Sequence, residues 1–247
     1  EIVKFLAECA TYFEHTSGAF DPTVGPLSRL YGLYDPQVRM PSGEEIASAL
    51  SRVGMDHVRI DRAASTVFFD RPGVELDSGG IGKGFAVDRV IEMLKSRGFS
   101  RAIVDGGTST VYALGAPPNK NGWTVRVRDP YNPDDALAEV RLRDESLSTS
   151  GCYDLDVVDG VQICNVFDPR SGLPRRGMLS ATVIAPSATQ TDALSTGFLV
   201  MGIDEARAYC AAHPEVRALL VPESPENDPA PVKIGEWPSP ENHGSTP

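Results

Sequence analysis

The chain has 247 residues, of which 41% are hydrophobic, so it is long enough for one large domain or two small ones with a real core. Its net charge of -11 excludes a general nucleic-acid-binding protein, which would need a basic patch to neutralise phosphates. The charge does not exclude an anionic small ligand, because local backbone N–H groups and a bound cation can outweigh it.

Cysteine usage and hydropathy exclude two further classes. The four cysteines are Cys9, Cys152, Cys164 and Cys210, and none forms a CxxC pair, so no zinc site is expected. We expect mostly buried, small apolar side chains, and their number permits disulfides without indicating any. No apolar run is long enough to span a bilayer, and no signal peptide is visible. Because the chain begins at Glu1 within a helical pattern, we expect a trimmed N-terminus.

The first predicted elements are two helices. Apolar side chains recur at helical spacing over residues 2–15, and Gly18 is placed to end that helix. A loop with two prolines follows. The second helix is predicted over 43–53, with Ser42 as its N-cap and Glu45 three residues further on, which is the pattern of a capping box.

Strands and helices then alternate irregularly. A glycine loop over 78–84 leads into a predicted helix over 85–97, which Gly98 ends. Further helices are predicted over 190–201 and 204–212. Strands are predicted at 57–61, 66–70, 74–77, 101–104, 109–114, 123–128, 137–142, 146–149, 163–167 and 179–185.

This order of elements predicts an α+β fold with mostly antiparallel strands, because no regular βαβ repeat is present. We expect a single domain over residues 1–222. Residues 223–247 are rich in Pro, Glu and Ser, so we expect this tail to be disordered.

The segment Asp77–Asp88 carries the strongest chemical signal. It places four glycines within six residues, directly before an amphipathic helix. Glycines allow a ligand to approach the backbone closely, and a helix N-terminus offers free N–H groups and the positive end of a dipole. Lys83 can add a positive charge. The segment predicts a phosphate cradle, with a tight strand-to-helix turn as an equally weighted alternative.

A second signal is the pair Asp192 and Thr196, which lie four residues apart and therefore on one face of a helix. A carboxylate and a hydroxyl, completed by a main-chain oxygen and substrate phosphates, would suit Mg²⁺. The alternative is structural, with Asp192 capping its helix and Thr196 bonding back to the main chain. Taken alone, the pair favours the structural alternative.

Two further segments say little by themselves. Asp168–Pro174 is typical of a turn. Ser148–Tyr153 carries three consecutive hydroxyls before a glycine, which could donate to a phosphate or form an exposed turn.

Five segments in this order resemble the ApbE family of flavin transferases. Each is modest alone, but the ordered set is specific and covers roughly residues 15–205. The segments are Gly18–Leu27, Asp77–Asp88, Thr149–Tyr153, Asp168–Gly172, and Ala185–Ala188 leading to Asp192–Thr196.

The resemblance implies a fold of mixed, mostly antiparallel sheets flanked by helices, and a Mg²⁺-dependent reaction with FAD as substrate. In that reaction a Thr or Ser hydroxyl of an acceptor protein attacks the FMN-side phosphorus, AMP leaves, and FMN stays attached by a phosphoester. Some members instead hydrolyse FAD to FMN and AMP. Family members are commonly exported and lipid-anchored, so the resemblance implies a bacterial cell envelope or periplasm. No nucleic-acid partner is implied.

The resemblance also assigns roles to single residues. By position, FAD binding falls on the loop and on the hydroxyl segment, and metal binding on three oxygen donors, with Gly82 contributing its main-chain oxygen. The FAD-binding set is Asp77, Gly79, Gly80, Ile81, Lys83, Gly84, Ser150 and Gly151, and the metal set is Gly82, Asp192 and Thr196.

The chain departs from the family pattern at two places. The family has a histidine three residues before the Asp of the Asp-Pro turn, and this chain has Asn165 there. An amide orients a nucleophile but does not accept its proton at neutral pH, so Asp168 is a candidate substitute base. The family's N-terminal Met-Gly-Thr strand has no match here. These departures keep open two alternatives to transfer: an FAD diphosphatase and a flavin-binding protein without turnover.

Overall fold

The computed structural model describes residues 1–35, 38–107, 109–132, 134–152, 156–158, 161–224 and 230–238. The described chain begins with a helix and ends with two strands, and a single turn of 3-10 helix covers Met55–His57. The helices are α1 (Ile2–His15), α2 (Gly25–Leu30), α3 (Gly43–Leu50), α4 (Gly82–Ser96), α5 (Ala188–Met201) and α6 (Ile203–Ala212).

The strands form one large sheet and four two-stranded ribbons. In chain order they are β1 (Val58–Asp61), β2 (Thr66–Phe69), β3 (Ala102–Asp105), β4 (Thr110–Leu114), β5 (Trp123–Arg128), β6 (Ala136–Leu142), β7 (Glu145–Gly151), β8 (Asp156–Val158), β9 (Val161–Ile163), β10 (Phe167–Asp168), β11 (Leu173–Pro174), β12 (Met178–Ala185), β13 (Arg217–Pro222) and β14 (Val232–Ile234).

The large sheet has the order β14-β13-β12-β7-β4-β3, and every neighbouring pair in it is antiparallel. Ribbons form from β1 with β2, β5 with β6, β8 with β9, and β10 with β11. The predicted α+β fold with mostly antiparallel sheets is therefore confirmed. Among the described residues, no helix is both long enough and apolar enough to cross a membrane.

Helix α5 is the centre of the molecule. It packs on β7 and β12 and crosses α4, and its side chains are buried on nearly every face. Ala193, Leu194, Phe198 and Leu199 are all fully buried. A helix that is enclosed on all sides places its few polar side chains inside the protein, where each one needs a partner. This requirement shapes the candidate site.

Several predicted elements are confirmed, and the residues at their ends explain where they begin or stop. Helix α1 covers 2–15 as predicted. Helix α3 has the predicted capping box, because Ser42 Oγ accepts from the Glu45 N–H while the Glu45 carboxylate accepts from the Ser42 N–H. Gly98 follows α4 with a φ of 82°, a left-handed conformation that glycine adopts easily.

Other predictions need correction. The strand predicted at 163–167 is wrong, because the chain turns between β9 and β10. The strand predicted at 74–77 is reduced to a single bridge between Glu75 and Val24. Strand β13 was not predicted at all. Strand β14 lies inside the tail for which we expected disorder, where it pairs with β13, and the nearby Trp237 is buried. The division into residues 1–222 and a tail otherwise stays a prediction.

The cysteines divide into two kinds. Cys9 and Cys210 are free and buried, as expected. Cys152 and Cys164 form a disulfide, with Cα atoms 5.2 Å apart, which the sequence permitted but did not indicate. This bond ties the end of β7 to the residue before Asn165.

Candidate functional site

The glycine loop is anchored by Asp77. One carboxylate oxygen, Oδ2, accepts hydrogen bonds from Ser28 Oγ at 2.9 Å and from the Tyr34 hydroxyl at 2.6 Å. The other, Oδ1, accepts from the Gly79 N–H at 2.8 Å. Burial, followed by the hydrogen bond to Asp77, raises the pKa of Tyr34. Asp77 therefore shapes the loop through three donors, and a contact with FAD would add to that role.

The loop turns directly into α4, which begins earlier than predicted. The Gly82 N–H donates to the Ser78 carbonyl oxygen at 2.7 Å, and Gly82 is the first residue of the helix. A carbonyl oxygen has two lone pairs, so the metal role of the Gly82 main-chain oxygen stays a prediction. Ile81 is predicted to contact FAD, but its side chain is fully buried in the core. Only its main chain is left for a ligand.

Gly80 packs beside Thr196. A Cβ atom on Gly80 would stand 3.0 Å from Thr196 Oγ1, whereas one on Gly82 would meet Ser78 instead. Glycine at position 80 thus brings the loop backbone against the face of α5 that carries Thr196. Gly80 is thus the loop glycine that packs against Thr196.

Asp192 is a buried carboxylate with donors on both oxygens. It is 2% exposed. Its Oδ2 accepts from the Gly84 N–H at 2.9 Å, and its Oδ1 accepts from Thr110 Oγ1 at 3.2 Å and Ser148 Oγ at 3.4 Å. Asp192 does not cap its own helix, because Ser187 is the N-cap of α5. It instead serves the N-terminus of α4, where the helix dipole favours a negative charge.

Lys83 brings a positive charge to the same carboxylate. Its Nζ lies 3.7 Å from Asp192 Oδ1 and donates to the Gly79 carbonyl oxygen at 3.0 Å. The Lys83 side chain is partly exposed, so its ammonium group stands at the boundary between the buried carboxylate and solvent. An anionic ligand that approaches the loop would meet this ammonium group first.

A row of serines joins β7 to α5. Successive side chains of a strand point to opposite faces, so Ser146, Ser148 and Ser150 lie on one face of β7. Ser146 Oγ is 2.9 Å from Thr191 Oγ1, and Ser150 Oγ is 3.0 Å from Thr196 Oγ1. Alternating serines in the sequence were the available signal for this row, and only Ser150 was predicted. Ser150 contacts Thr196, and Gly151 pairs with Ser180 in the sheet, while FAD binding by both residues stays a prediction.

Thr196 bonds back to the main chain, and its role as a metal ligand stays a prediction. Its Oγ1 bonds back to the Asp192 carbonyl oxygen at 3.3 Å, as the structural alternative requires. The same hydroxyl lies beside Ser150 and the Gly80 backbone. Ser195 Oγ also donates to the Asp192 carbonyl oxygen, at 2.9 Å. Thr196 is half-buried, whereas Ser195 is fully buried.

The two helices hold each other by a reciprocal pair of carboxylates. Asp192 of α5 accepts from Gly84 of α4, while Asp88 of α4 accepts from the N–H groups of Ala188 and Thr189, both at 2.8 Å, and from Thr189 Oγ1 at 2.6 Å. Each aspartate lies one helical turn after the residue of its own helix whose backbone N–H donates to the other aspartate. Asp88 ends the segment Asp77–Asp88, but the sequence alone indicated no role for it.

The Asn165 turn carries the two predicted catalytic residues. Asn165 is exposed, and it follows Cys164, whose disulfide leads back to the β7 end that presents Ser150. Asp168 is held by Arg170, with Nε to Oδ1 at 2.9 Å and Nη2 to Oδ2 at 3.0 Å. Burial raises the pKa of Asp168, but the bonds from Arg170 outweigh it and leave the pKa below its usual value. Asp168 is therefore a weak base, contrary to our expectation.

The donor set suits a hard divalent cation even though no acidic cluster is present. Among the described residues, no group of three His, Cys, Asp or Glu side chains could hold a metal ion. The oxygens around the Asp192 carboxylate include the hydroxyls of Thr110 and Ser148, and the Thr196 hydroxyl lies one turn further along α5. Mg²⁺ commonly takes one or two carboxylates and completes its shell with substrate phosphates and water. The residues present fit that pattern only with a phosphate ligand in place.

Comparison with known proteins agrees with this geometry. The model of the ApbE family matches residues 1–220. The chain is 31% identical over 233 residues to the FAD:protein FMN transferase of Treponema pallidum, which covers 87% of this chain and 64% of that protein. It is 32% identical over 199 residues to the FAD:protein FMN transferase of Escherichia coli K12, with 78% and 56% covered. The chain thus spans about three fifths of the length of these curated relatives.

Two solved structures match this chain over a larger share of their own length than these curated relatives do. The ApbE protein of Thermotoga maritima matches with a TM-score of 0.85 and 34% identity, covering 94% of this chain and 75% of that one. The flavinyl transferase ApbE of Pseudomonas stutzeri, in its apo form, matches with a TM-score of 0.82 and 28% identity, covering 94% and 72%. The family model over residues 1–220 and the identity to the curated relatives show that this chain belongs to the ApbE family.

Proposed function

We propose that this chain transfers FMN from FAD to a Thr or Ser hydroxyl of an acceptor protein in a Mg²⁺-dependent reaction. The observation that carries the proposal is the placement of Asp192. A buried carboxylate lies at the N-terminus of α4, beside an ammonium group, a hydroxyl and a glycine backbone that approaches closely. The names of the relatives support the same activity.

The arrangement supports binding of a diphosphate. The glycine loop lets phosphate oxygens approach the backbone, and Lys83 contributes a positive charge on the same side. Asp192 and Thr196, with the main-chain oxygen of Gly82, would hold Mg²⁺. When bound, Mg²⁺ would neutralise charge on the diphosphate as the phosphorus reacts.

The reaction exchanges a phosphoanhydride bond of FAD for a phosphoester bond to the acceptor. The acceptor oxygen forms a bond to the FMN-side phosphorus, the bond from that phosphorus to the bridging oxygen breaks, and AMP leaves with the bridging oxygen. The hydroxyl proton passes to solvent or to the leaving phosphate. Asn165 can accept or donate a hydrogen bond and so orient the hydroxyl, but its amide takes no proton. Phosphoryl transfer depends mainly on positioning and charge neutralisation, so the chain can be slow yet active.

Two alternatives use the same site. An FAD diphosphatase would let water attack in place of the acceptor. A flavin-binding protein would bind FAD and release nothing, and Asn165 favours it because a general base contributes about 10²- to 10⁴-fold to such rates. A retained carboxylate and hydroxyl pair favours turnover, because a protein that only binds flavin has less need of a metal.

The compartment is a further part of the proposal. Disulfides persist in oxidising environments and are rare in the cytosol. The Cys152–Cys164 bond therefore supports the bacterial cell envelope or periplasm that the family resemblance implies.

Chromatography of AMP released from FAD separates the alternatives. The reactions contain Mg²⁺ or EDTA, with and without an acceptor protein, and Asp192→Asn is run beside the wild type. AMP that requires both Mg²⁺ and acceptor supports transfer. AMP with Mg²⁺ alone identifies a diphosphatase. Bound FAD without AMP under every condition identifies a flavin-binding protein and refutes the proposal.

A further inference from the structure

A groove opens beside the β10–β11 hairpin, with a volume of about 450 Å³. Leu173 forms part of its wall and is 50% exposed, and Met40 faces it with 40% exposed. Two large apolar side chains that share one concave surface mark a binding site more often than isolated apolar residues do. The apolar part of the groove lacks a covering segment among the described residues.

The charge of the groove is opposite to that of the whole chain. Arg175 and Arg176 both line it, and Asp168 is its acidic residue. Asp168 is already neutralised by Arg170. Arg176 is exposed and has no acidic partner among the described residues. In a chain of net charge -11, this is a local positive surface that complements an acidic ligand.

Arg175 is held by a hydrogen bond to the main chain of α5, so Arg176 is the more accessible positive charge of the groove. The Nε of Arg175 donates to the Leu199 carbonyl oxygen at 2.8 Å, near the C-terminal end of α5. A cation at a helix C-terminus offsets the negative end of the dipole. Substitution of Arg175 would therefore disturb α5, whereas substitution of Arg176 would alter the groove alone.

The groove lies next to the position from which a hydroxyl would attack. The Arg175 N–H donates to the Val166 carbonyl oxygen at 2.7 Å, and Val166 follows Asn165 directly. On the other side of Asn165, the disulfide leads to β7 and to the Ser150–Thr196 contact. A polypeptide lying in the groove would thus need only a few more residues to present a hydroxyl at Asn165.

We propose that this groove binds the acceptor protein, and that it holds a segment flanking the target Thr or Ser in which an acidic residue meets Arg176 and an apolar residue covers Leu173 and Met40. The proposal rests on the proposed function, since it assigns the partner's chemistry at the same site. It makes the groove a determinant of which acceptors are modified.

The test uses two fluorescent peptides of equal length with one central threonine. In the first, aspartates and leucines flank the threonine, and in the second, lysines replace the aspartates. Binding is measured by fluorescence anisotropy on the full chain with FAD and EDTA, so that no transfer occurs. The variants are Arg176→Glu and, as a matched control, Arg126→Glu, an exposed arginine of β5 that does not line the groove.

The acidic peptide should bind the wild type and the Arg126→Glu control alike, and the lysine peptide should bind more weakly. Arg176→Glu should weaken the acidic peptide by on the order of five- to tenfold, because an exposed attraction becomes a repulsion. Added salt should shrink the difference. Equal binding of both peptides, or no effect of Arg176→Glu, overturns the proposal.

A parallel titration with FAD distinguishes a groove that binds the peptide from one that belongs to the flavin site. If Arg176→Glu weakens FAD binding but leaves peptide binding unchanged, the groove is part of the flavin site and the proposal is wrong. Peptide binding does not depend on turnover. A chain that binds the acidic peptide through Arg176 but releases no AMP would refute the proposed activity while leaving the docking groove standing.

Discussion

Gly84→Ala should separate the two helices that build the site. Gly84 lies in the first turn of α4 at its crossing with α5. A Cβ atom there would stand 2.1 Å from the Ala188 carbonyl oxygen and 2.7 Å from the Asp192 Cβ. Non-bonded heavy atoms normally stay about 3.5 Å apart, so a shift of more than about 1 Å is required. The obstructing atom is backbone, so no side-chain rotation can relieve it.

The size of the effect follows from two opposing terms. Overpacking costs about 1–3 kcal/mol, and a backbone clash belongs at the upper end. Replacing glycine by alanine in a helix returns at most about 1 kcal/mol. The net loss of unfolding free energy is therefore about 2 kcal/mol, which lowers Tm by about 4–8 °C in a chain of this length. The shift also stretches the Gly84–Asp192 hydrogen bond, so Mg²⁺ dependence should change together with stability.

Thermal unfolding followed by circular dichroism measures this directly, with Gly43→Ala as the control. Gly43 is the first residue of α3, and a Cβ there would meet nothing within 4 Å. The control should be unchanged or up to about 1 kcal/mol more stable. If Gly84→Ala melts at the same temperature as Gly43→Ala, the close crossing of α4 and α5 is wrong, and so is the support it gives to Asp192.

Three further predictions concern the surroundings of the site. Asp88→Asn should raise the Mg²⁺ concentration for half-maximal AMP release about tenfold, because the groups that position metal ligands typically contribute 10- to 100-fold to metal affinity. Glu45→Gln is the control, since it only weakens the helix cap of α3. It should lower Tm without changing that Mg²⁺ concentration. Asn165→His should raise the transfer rate about 10²-fold and make it increase with pH through about 6.5, and a flat pH profile would argue against a base at this position. Reduction of the Cys152–Cys164 bond, which spans 12 residues, should cost about 2–3 kcal/mol of unfolding free energy, and an unchanged denaturant midpoint in dithiothreitol would contradict its role as a staple.

Local sequence signals predicted the parts of the fold that local interactions determine. The capping box at Ser42 and Glu45 involves residues three apart, and the structure has it as expected. The start of α4 was misplaced because glycine is a poor helix former. Gly84 is nevertheless helical, since its lack of a side chain permits the contact with Ala188, far along the chain. Tertiary packing there overrides propensity.

Strand β13 shows a different limit. Its residues Arg217–Pro222 form a short, nearly continuous apolar run that lies between two other strands and is buried. Such a run lacks the alternation that marks a half-buried strand, so periodicity does not distinguish it from a buried helix segment or a loop. The short β14 depends on β13 for its pairing and could not be predicted before it.

The site was predictable as a set of residues but not as a set of contacts. Asp192 and Thr196 were identified by helical spacing, yet the main donor to Asp192 is Gly84, 108 residues away. The order of the glycines also does not say that Gly80 and Gly84 are the two that pack against α5. The disulfide was also beyond reach, because cysteine pairing cannot be deduced from sequence alone.

Intact-mass spectrometry of an acceptor protein tests the central claim most directly. The acceptor is incubated with this chain, FAD and Mg²⁺, and in parallel with EDTA or with the Asp192→Asn variant. We predict that the acceptor gains the mass of one FMN less one water only with wild-type chain and Mg²⁺, together with one AMP for each FMN attached. An unmodified acceptor after complete conversion of FAD to FMN and AMP, or an unchanged mass gain with Asp192→Asn, would contradict the account.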